Sequence, residues 1–153
     1  MKHSSQKKNA RNKGAIADHS DIVNEVKAIY QEWSGRELER SCIGRSTCCQ
    51  FTLTGKTPYI TKGEAILAAK GWRAAGRKTI AIDAPSCPFL LQGKCQIYDS
   101  RPFACRTHFC DAAGGPAPRA MVRDLIQRLE EIDQRLGGRG GVNLPIAVRD
   151  FLT

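Results

Sequence analysis

Seven cysteines are the feature that most constrains how this 153-residue chain can fold. They all lie between residues 42 and 110, in segments rich in turn-forming residues. They form an early group of three and a late group of four: Cys42, Cys48 and Cys49, then Cys87, Cys95, Cys105 and Cys110. A tetrahedral metal site needs about four donors, and thiolate is the softest donor a protein offers. The pattern therefore predicts that sulfur atoms from both groups converge on a metal.

The start of the chain bears on the redox state of these thiols. The first 20 residues are polar and basic and contain no apolar stretch, so we predict no secretory signal, a cytoplasmic location and reduced cysteines. Three alternatives to metal binding stay open, namely buried free thiols, structural disulfides and a thiol redox switch. The odd cysteine count argues against a full set of disulfides. No apolar run reaches the roughly 20 residues of a membrane helix, so we expect no membrane association.

The net charge of +9 is concentrated towards the N-terminus. Residues 1–19 carry five basic side chains against Asp18. We predict a disordered basic tail over these residues. A weak, salt-sensitive contact with nucleic acid or an acidic protein is the alternative to a merely solvated tail. No aromatic side chain lies between its lysines, so nothing there indicates base stacking.

Apolar periodicity predicts the main helices. One helix is expected from Ser20 to Ser34, with its buried face formed by Ile22, Val23, Val26, Ile29, Tyr30 and Trp33. Thr61 and Glu64 form a capping box for a second helix that ends near Gly76. A third helix should begin at Pro118, with its apolar side formed by Met121, Val122, Leu125, Ile126, Leu129, Ile132 and Leu136. Charge pairs four residues apart, Asp124 with Arg128 and Glu131 with Arg135, are expected on its exposed side.

Turn residues predict small β elements between these helices. Gln92-Gly93, flanked by apolar residues, is typical of a hairpin. Alternation around Ile80 and Ile82 suggests a short strand over 78–83. Pro102 suits the first position of a short helix.

A mostly α fold of the small α+β kind follows from these elements. We predict a compact helical domain over residues 20–136, with a short β-hairpin or an irregular cysteine-rich region stapled by metal. Residues 137–153 are expected to form a Gly-rich linker and a short amphipathic segment. Aromatic residues make up only 7% of the chain, so a bound metal would contribute much of the folding free energy of so thin a core.

The late cysteine group also resembles a known family. The stretch CPFLLQGKCQIYDSRPFACRTHFC, residues 87–110, is similar to the YkgJ-type cysteine-cluster family, a zinc- or iron-chelating domain. Its members have a CxxCxxCC signature, then CPFL, Gly-x-Cys-x-Ile-Tyr and RPxxCRxxxC elements. Residues 42–49 match the first signature except at Arg45, where the family has its second cysteine. The resemblance covers about residues 42–110 and implies metal binding rather than a particular reaction.

Seven cysteines cannot fill two sites of four thiolates each. Either another donor completes one site or only one site is built. His108, between Cys105 and Cys110, is the best additional donor, and a partly exposed histidine without a metal role is its alternative. Zinc and an iron–sulfur cluster both suit cysteine ligands, and the Cys87-Pro88 step favours a cluster.

Three functions are consistent with the sequence. The first is a metal-binding cysteine-cluster protein. The second is an iron–sulfur electron-transfer or redox accessory protein, and the third is a metal-stapled nucleic-acid-binding protein that uses the basic tail. A nucleophile elbow, a phosphate-binding loop and a His-Glu metalloprotease motif are all missing from the sequence. The sequence therefore favours a binding protein over an enzyme.

Overall fold

A computed structural model describes residues 19–36, 58–107 and 117–152 of the chain. This part is mostly helical and has two antiparallel sheets of two strands each, which confirms the predicted fold class. The predicted tail lies outside the described residues except for His19, which is already helical. Residues 37–57, which include the early cysteine group, also lie outside them. No helix of the described part is both long and apolar enough to cross a membrane.

Two long helices form one side of the molecule. Helix α1 covers residues 19–34 of the described chain, and α4 covers Arg119–Arg135. All six apolar residues predicted for α1 are buried. They pack with α4 side chains such as Leu125 and Leu129 in one hydrophobic cluster. The prediction for α4 was wrong at Ile126, which is 38% exposed.

Ion pairs join α1 and its C-terminal turn to α4, which differs from the prediction. The sequence pattern paired Asp124 with Arg128 and Glu131 with Arg135 along α4. The structure instead pairs charges across the two helices: Arg36 with Asp124 at 2.6 Å, Arg135 with Glu25 at 2.7 Å, and Arg128 with Glu32. The hydrogen bond from Arg36 lowers the pKa of Asp124 to about 2. The cross-helix partners lie far away in sequence, so local spacing could not identify them.

Helix α2 (Lys62–Ala74) lies between two hydrophobic clusters. Ile66 and Leu67 belong to the cluster with α1 and α4, while Trp72 belongs to a second cluster. Close packing requires glycine at position 63, since a Cβ there would lie 2.9 Å from Ile132 Cγ2 and 3.1 Å from Val26 Cγ2. The α2 helix is therefore in direct backbone contact with side chains of α1 and α4.

The C-terminal residues pack against the other side of α2. Strand β1 (Tyr59–Ile60) pairs with β4 (Val142–Asn143), and α5 (Leu144–Arg149) follows directly. Asp133 is 1% exposed, and its carboxylate accepts hydrogen bonds from the backbone N–H groups of Lys62 at 2.8 Å and Gly140 at 2.9 Å. This buried carboxylate joins the glycine-rich turn after α4 to the start of α2.

A run of short elements connects α2 to α4. Strands β2 (Leu90–Leu91) and β3 (Lys94–Cys95) form the predicted hairpin. A 3-10 turn at Tyr98–Ser100 and α3 (Phe103–Thr107) follow. Pro102 therefore precedes α3 rather than occupying its first position. The prediction of a strand over 78–83 was wrong, because these residues form no strand and most of them are exposed.

Candidate metal centre

Three of the seven predicted ligands lie within the described residues: Cys87, Cys95 and Cys105. The other predicted donors lie outside them, and these are Cys42, Cys48, Cys49, Cys110 and His108. The convergence of the two cysteine groups is therefore still a prediction.

Cys87 and Cys95 flank the same hairpin. The backbone N–H of Leu90 donates to the carbonyl of Cys87 at 3.0 Å, and Leu90 is also the cross-strand partner of Cys95. Both cysteines belong to the second hydrophobic cluster, where Cys87 is 6% exposed and Cys95 is partly buried. Residues 87–95 thus form one compact turn that carries two thiols.

Local backbone geometry explains why the chain reverses here. Gln92 and Gly93 both have positive φ angles, 53° and 75°, as expected for a two-residue turn that follows the twist of a hairpin. Phe89, at the start of the hairpin, is 1% exposed. Its ring packs edge-on against the ring of Trp72 in α2, with 5.1 Å between the ring centres. The hairpin is therefore fixed to α2 through its first aromatic residue.

Cys105 lies on α3, in a different setting from the other two described cysteines. The backbone N–H of Phe103, at the start of α3, donates to Glu64 Oε1 at 2.7 Å. The hydroxyl of Tyr30 donates to the same oxygen at 3.0 Å. Thr61 donates to Glu64 Oε2 from its backbone N–H at 3.0 Å and from its hydroxyl at 3.1 Å. Glu64 is only 3% exposed, so one buried carboxylate ties α3 to α1 and to the start of α2.

Tyr30 completes this buried network. Burial, together with the charge of Glu64, raises the pKa of Tyr30 well above its ordinary value, so the phenol stays protonated and donates its hydrogen bond. The Tyr30 ring stacks on the Phe103 ring, with 6.5 Å between the ring centres. The Trp33 ring packs edge-on against the same Phe103 ring, with 5.9 Å between the ring centres. The start of α3 is therefore held by apolar packing as well as by hydrogen bonds.

Arg106 is the next residue after Cys105. Its Nε donates to the Arg101 carbonyl and its Nη2 to the Asp99 carbonyl, both at 2.7 Å. Its guanidinium carbon lies 4.2 Å from the centre of the Tyr30 ring. Burial, as the largest effect, lowers the pKa of Arg106, and the positive charge of Arg101 acts in the same direction, whereas the Asp99 carboxylate acts in the opposite direction. Arg106 is therefore a fixed, partly desolvated cation.

The donor chemistry fits zinc or iron, but the described residues do not hold an ion by themselves. Sulfur is a preferred ligand of both metals. Within residues 19–36, 58–107 and 117–152, no three His, Cys, Asp or Glu side chains are grouped closely enough to bind a metal ion. A four-donor centre that uses Cys87, Cys95 or Cys105 therefore needs donors from elsewhere in the chain.

The sequence alone does not identify the role of Glu64. The capping-box pattern predicts Glu64 only as a partner of Thr61, because its other partner, Tyr30, is 34 residues away. Arg106, together with Arg45 and Arg101, is in contrast a candidate from the sequence to offset the negative charge of a thiolate-rich centre. An invariant Tyr30–Glu64 pair across related sequences is the signal that could have identified the buried network.

Comparison with known proteins identifies no relative of the chain. No protein-family model, no curated protein and no solved structure matches the chain. Its function has to be inferred from the cysteines and their surroundings.

Proposed function

We propose that the protein is a metal-binding cysteine-cluster protein, similar to the YkgJ-type family, that chelates an iron–sulfur cluster or zinc through thiolates from two segments. One observation carries this proposal. The three described cysteines all lie in the short elements between α2 and α4, and none lies on the core faces of the long helices. Cys87 and Cys95 also contact the second hydrophobic cluster, as a core thiol would, so a metal assay decides between the two roles.

The size of these elements supports a role for metal in holding them. Strands of two residues and a five-residue helix are too short to be stable alone. Thiolate bonds to a shared ion would crosslink the hairpin and α3 to the segment that carries the early cysteines. Structural zinc contributes on the order of 10 kcal/mol to the folding of small domains, which is enough to decide whether this region is ordered.

The metal can be identified by anaerobic purification followed by assays of iron, zinc and acid-labile sulfide and by an absorbance spectrum. The Cys87-Pro88 step favours a cluster, so we expect iron and sulfide with broad visible absorption. Stoichiometric zinc in a colourless protein would also support metal binding through thiolates and would identify a closed tetrahedral site. A folded protein that binds neither, even after reconstitution with iron and sulfide or with zinc, would contradict the proposal.

Ligand substitutions test which cysteines bind. Cys95→Ser and Cys105→Ser should lower the metal content per folded chain, since a hydroxyl is a poor replacement for a thiolate on a soft metal. The matched controls are the neighbouring changes Gln96→Ser and Ala104→Ser, which alter the same hairpin and helix but keep every sulfur. If the cysteine variants retain as much metal as the controls, with matching circular dichroism spectra, Cys95 and Cys105 are not ligands.

A further inference from the structure

The outer face of helix α4 carries charges that the rest of the described structure leaves unpaired. On the side of α4 that meets α1 and its C-terminal turn, Asp124, Arg128 and Arg135 all form ion pairs. Four exposed charged residues of the outer face form none within residues 19–36, 58–107 and 117–152, namely Arg119, Arg123, Glu130 and Glu131.

These four charges are sorted by sign along the helix. Arg119 and Arg123 lie in the first two turns of α4, and Glu130 and Glu131 follow about two turns further on. The first turn contains no acidic residue, although the helix dipole favours anions at that end. The dipole of an isolated helix therefore does not account for the order of the charges.

An exposed apolar residue lies between the basic and the acidic pair. Ile126 is 38% exposed, and it lines an open groove together with Gln127 and the four charged side chains. Among the described residues, only residues of α4 line this groove. An apolar centre with positive charge towards one end and negative charge towards the other is complementary to a copy of itself that runs in the opposite direction.

We propose that α4 of a second copy of this chain docks antiparallel on this face and forms a two-fold dimer. With the axis between Ile126 and Gln127, Arg123 lies opposite Glu130 of the second copy, and Arg119 lies within one turn of Glu131 of the second copy. Two-fold symmetry forms each pair twice. The antiparallel direction also opposes the two helix dipoles, whereas a parallel copy would place like charges side by side.

The contact is small, because each copy contributes one helix with a single apolar residue at its centre. Standard interfaces bury about 800 Å² per partner, and exposed ion pairs contribute little and are screened by salt. We therefore expect a weak dimer, with a Kd of about 100 µM, that dissociates as the salt concentration rises. No predicted metal ligand lies in α4, so the dimer does not depend on the proposed metal centre.

Sedimentation of the full chain over about 5–500 µM, with a reductant that prevents thiols from crosslinking the copies, measures the dimer. Arg123→Glu and Glu130→Arg each replace two attractive pairs by two repulsive ones, so each should weaken dimerisation about tenfold or more. The double variant restores opposite charges across the axis and should dimerise like the unaltered chain. The matched control is Lys27→Glu on the exposed side of α1, which changes the net charge equally and should leave the dimer unchanged.

Circular dichroism reports whether each variant is folded, and all the substituted side chains are exposed. Equal dimerisation of the single variants and the unaltered chain would overturn the proposal, because the dimer would then use another surface. A double variant that fails to recover dimerisation would overturn the antiparallel pairing. A chain that stays monomeric up to about 500 µM would leave the face to a different partner and would also overturn the proposal.

Discussion

At the scale of single residues, Glu64 determines how the cysteine-bearing helix α3 is attached. Its carboxylate accepts hydrogen bonds from α1, from the residue before α2 and from the first residue of α3. A buried charge is tolerated only when it is fully hydrogen-bonded, and four donors meet that condition here. The placement of α3, and of Cys105 on it, therefore depends on the hydrogen bonds that Glu64 accepts.

Removing one donor from this network should weaken the fold measurably. Tyr30→Phe keeps the ring against Phe103 and deletes only the hydrogen bond to Glu64, so we expect a loss of about 1.5–3 kcal/mol in the free energy of unfolding, as for hydrogen bonds to charged groups. The measurement is urea unfolding followed by circular dichroism. Tyr59→Phe is the control, since Tyr59 is 67% exposed, and it should change stability by less than about 0.5 kcal/mol. Equal stabilities of the two variants would show that the Tyr30 hydroxyl is not part of a stabilising network.

At the scale of elements, the sequence predicts the features that depend on neighbouring residues, such as helix periodicity, helix caps and tight turns. The periodicity of α1, the capping box of α2 and the Gln92-Gly93 hairpin are confirmed, because each depends on residues close together in the chain. The prediction of a strand at 78–83 was wrong, because alternation of apolar residues alone cannot supply a partner strand. The ion pairs predicted within α4 instead join α4 to α1 and its C-terminal turn. The antiparallel packing of the two helices determines which charges meet.

Helix packing also depends on positions that no periodicity identifies, and Gly63 is the clearest case. Gly63→Ala would place a methyl group 2.9 Å from Ile132 Cγ2 and 3.1 Å from Val26 Cγ2. We expect a loss of about 1–3 kcal/mol from overpacking, despite the better helix propensity of alanine. The neighbouring change Lys62→Ala should shift the free energy of unfolding by less than about 0.5 kcal/mol.

A second-site substitution distinguishes overpacking from any other effect at position 63. Val26→Ala removes the methyl group that the new Cβ would approach, so the cost of Gly63→Ala should be smaller in that background. Strictly additive losses in the double variant, or a stabilised Gly63→Ala protein, would contradict the close packing of α2 on α1 and α4.

At the scale of the whole molecule, the cysteine pattern predicts the chemistry of a site but not its surroundings. Soft donors in two groups indicate a metal before any coordinates are considered. The residues that hold α3, Glu64 and Tyr30, lie 34 positions apart and meet only through the fold. The thin core predicted from composition is divided by α2 into two clusters, and the three described cysteines lie in the connection between α2 and α4.

The most direct measurement of the central claim is alkylation of each cysteine by iodoacetamide under native conditions, mapped by mass spectrometry with and without bound metal. Cys87 is already buried in the structure, so its labelling distinguishes little, and the comparison rests on Cys42, Cys48 and Cys49 against Cys95, Cys105 and Cys110. If one metal centre is shared between the two segments, we expect cysteines of both groups to be protected from alkylation together when metal is bound. Both groups should become reactive together when a chelator removes the metal. Protection confined to one group, or equal labelling with and without metal, would contradict a shared metal centre.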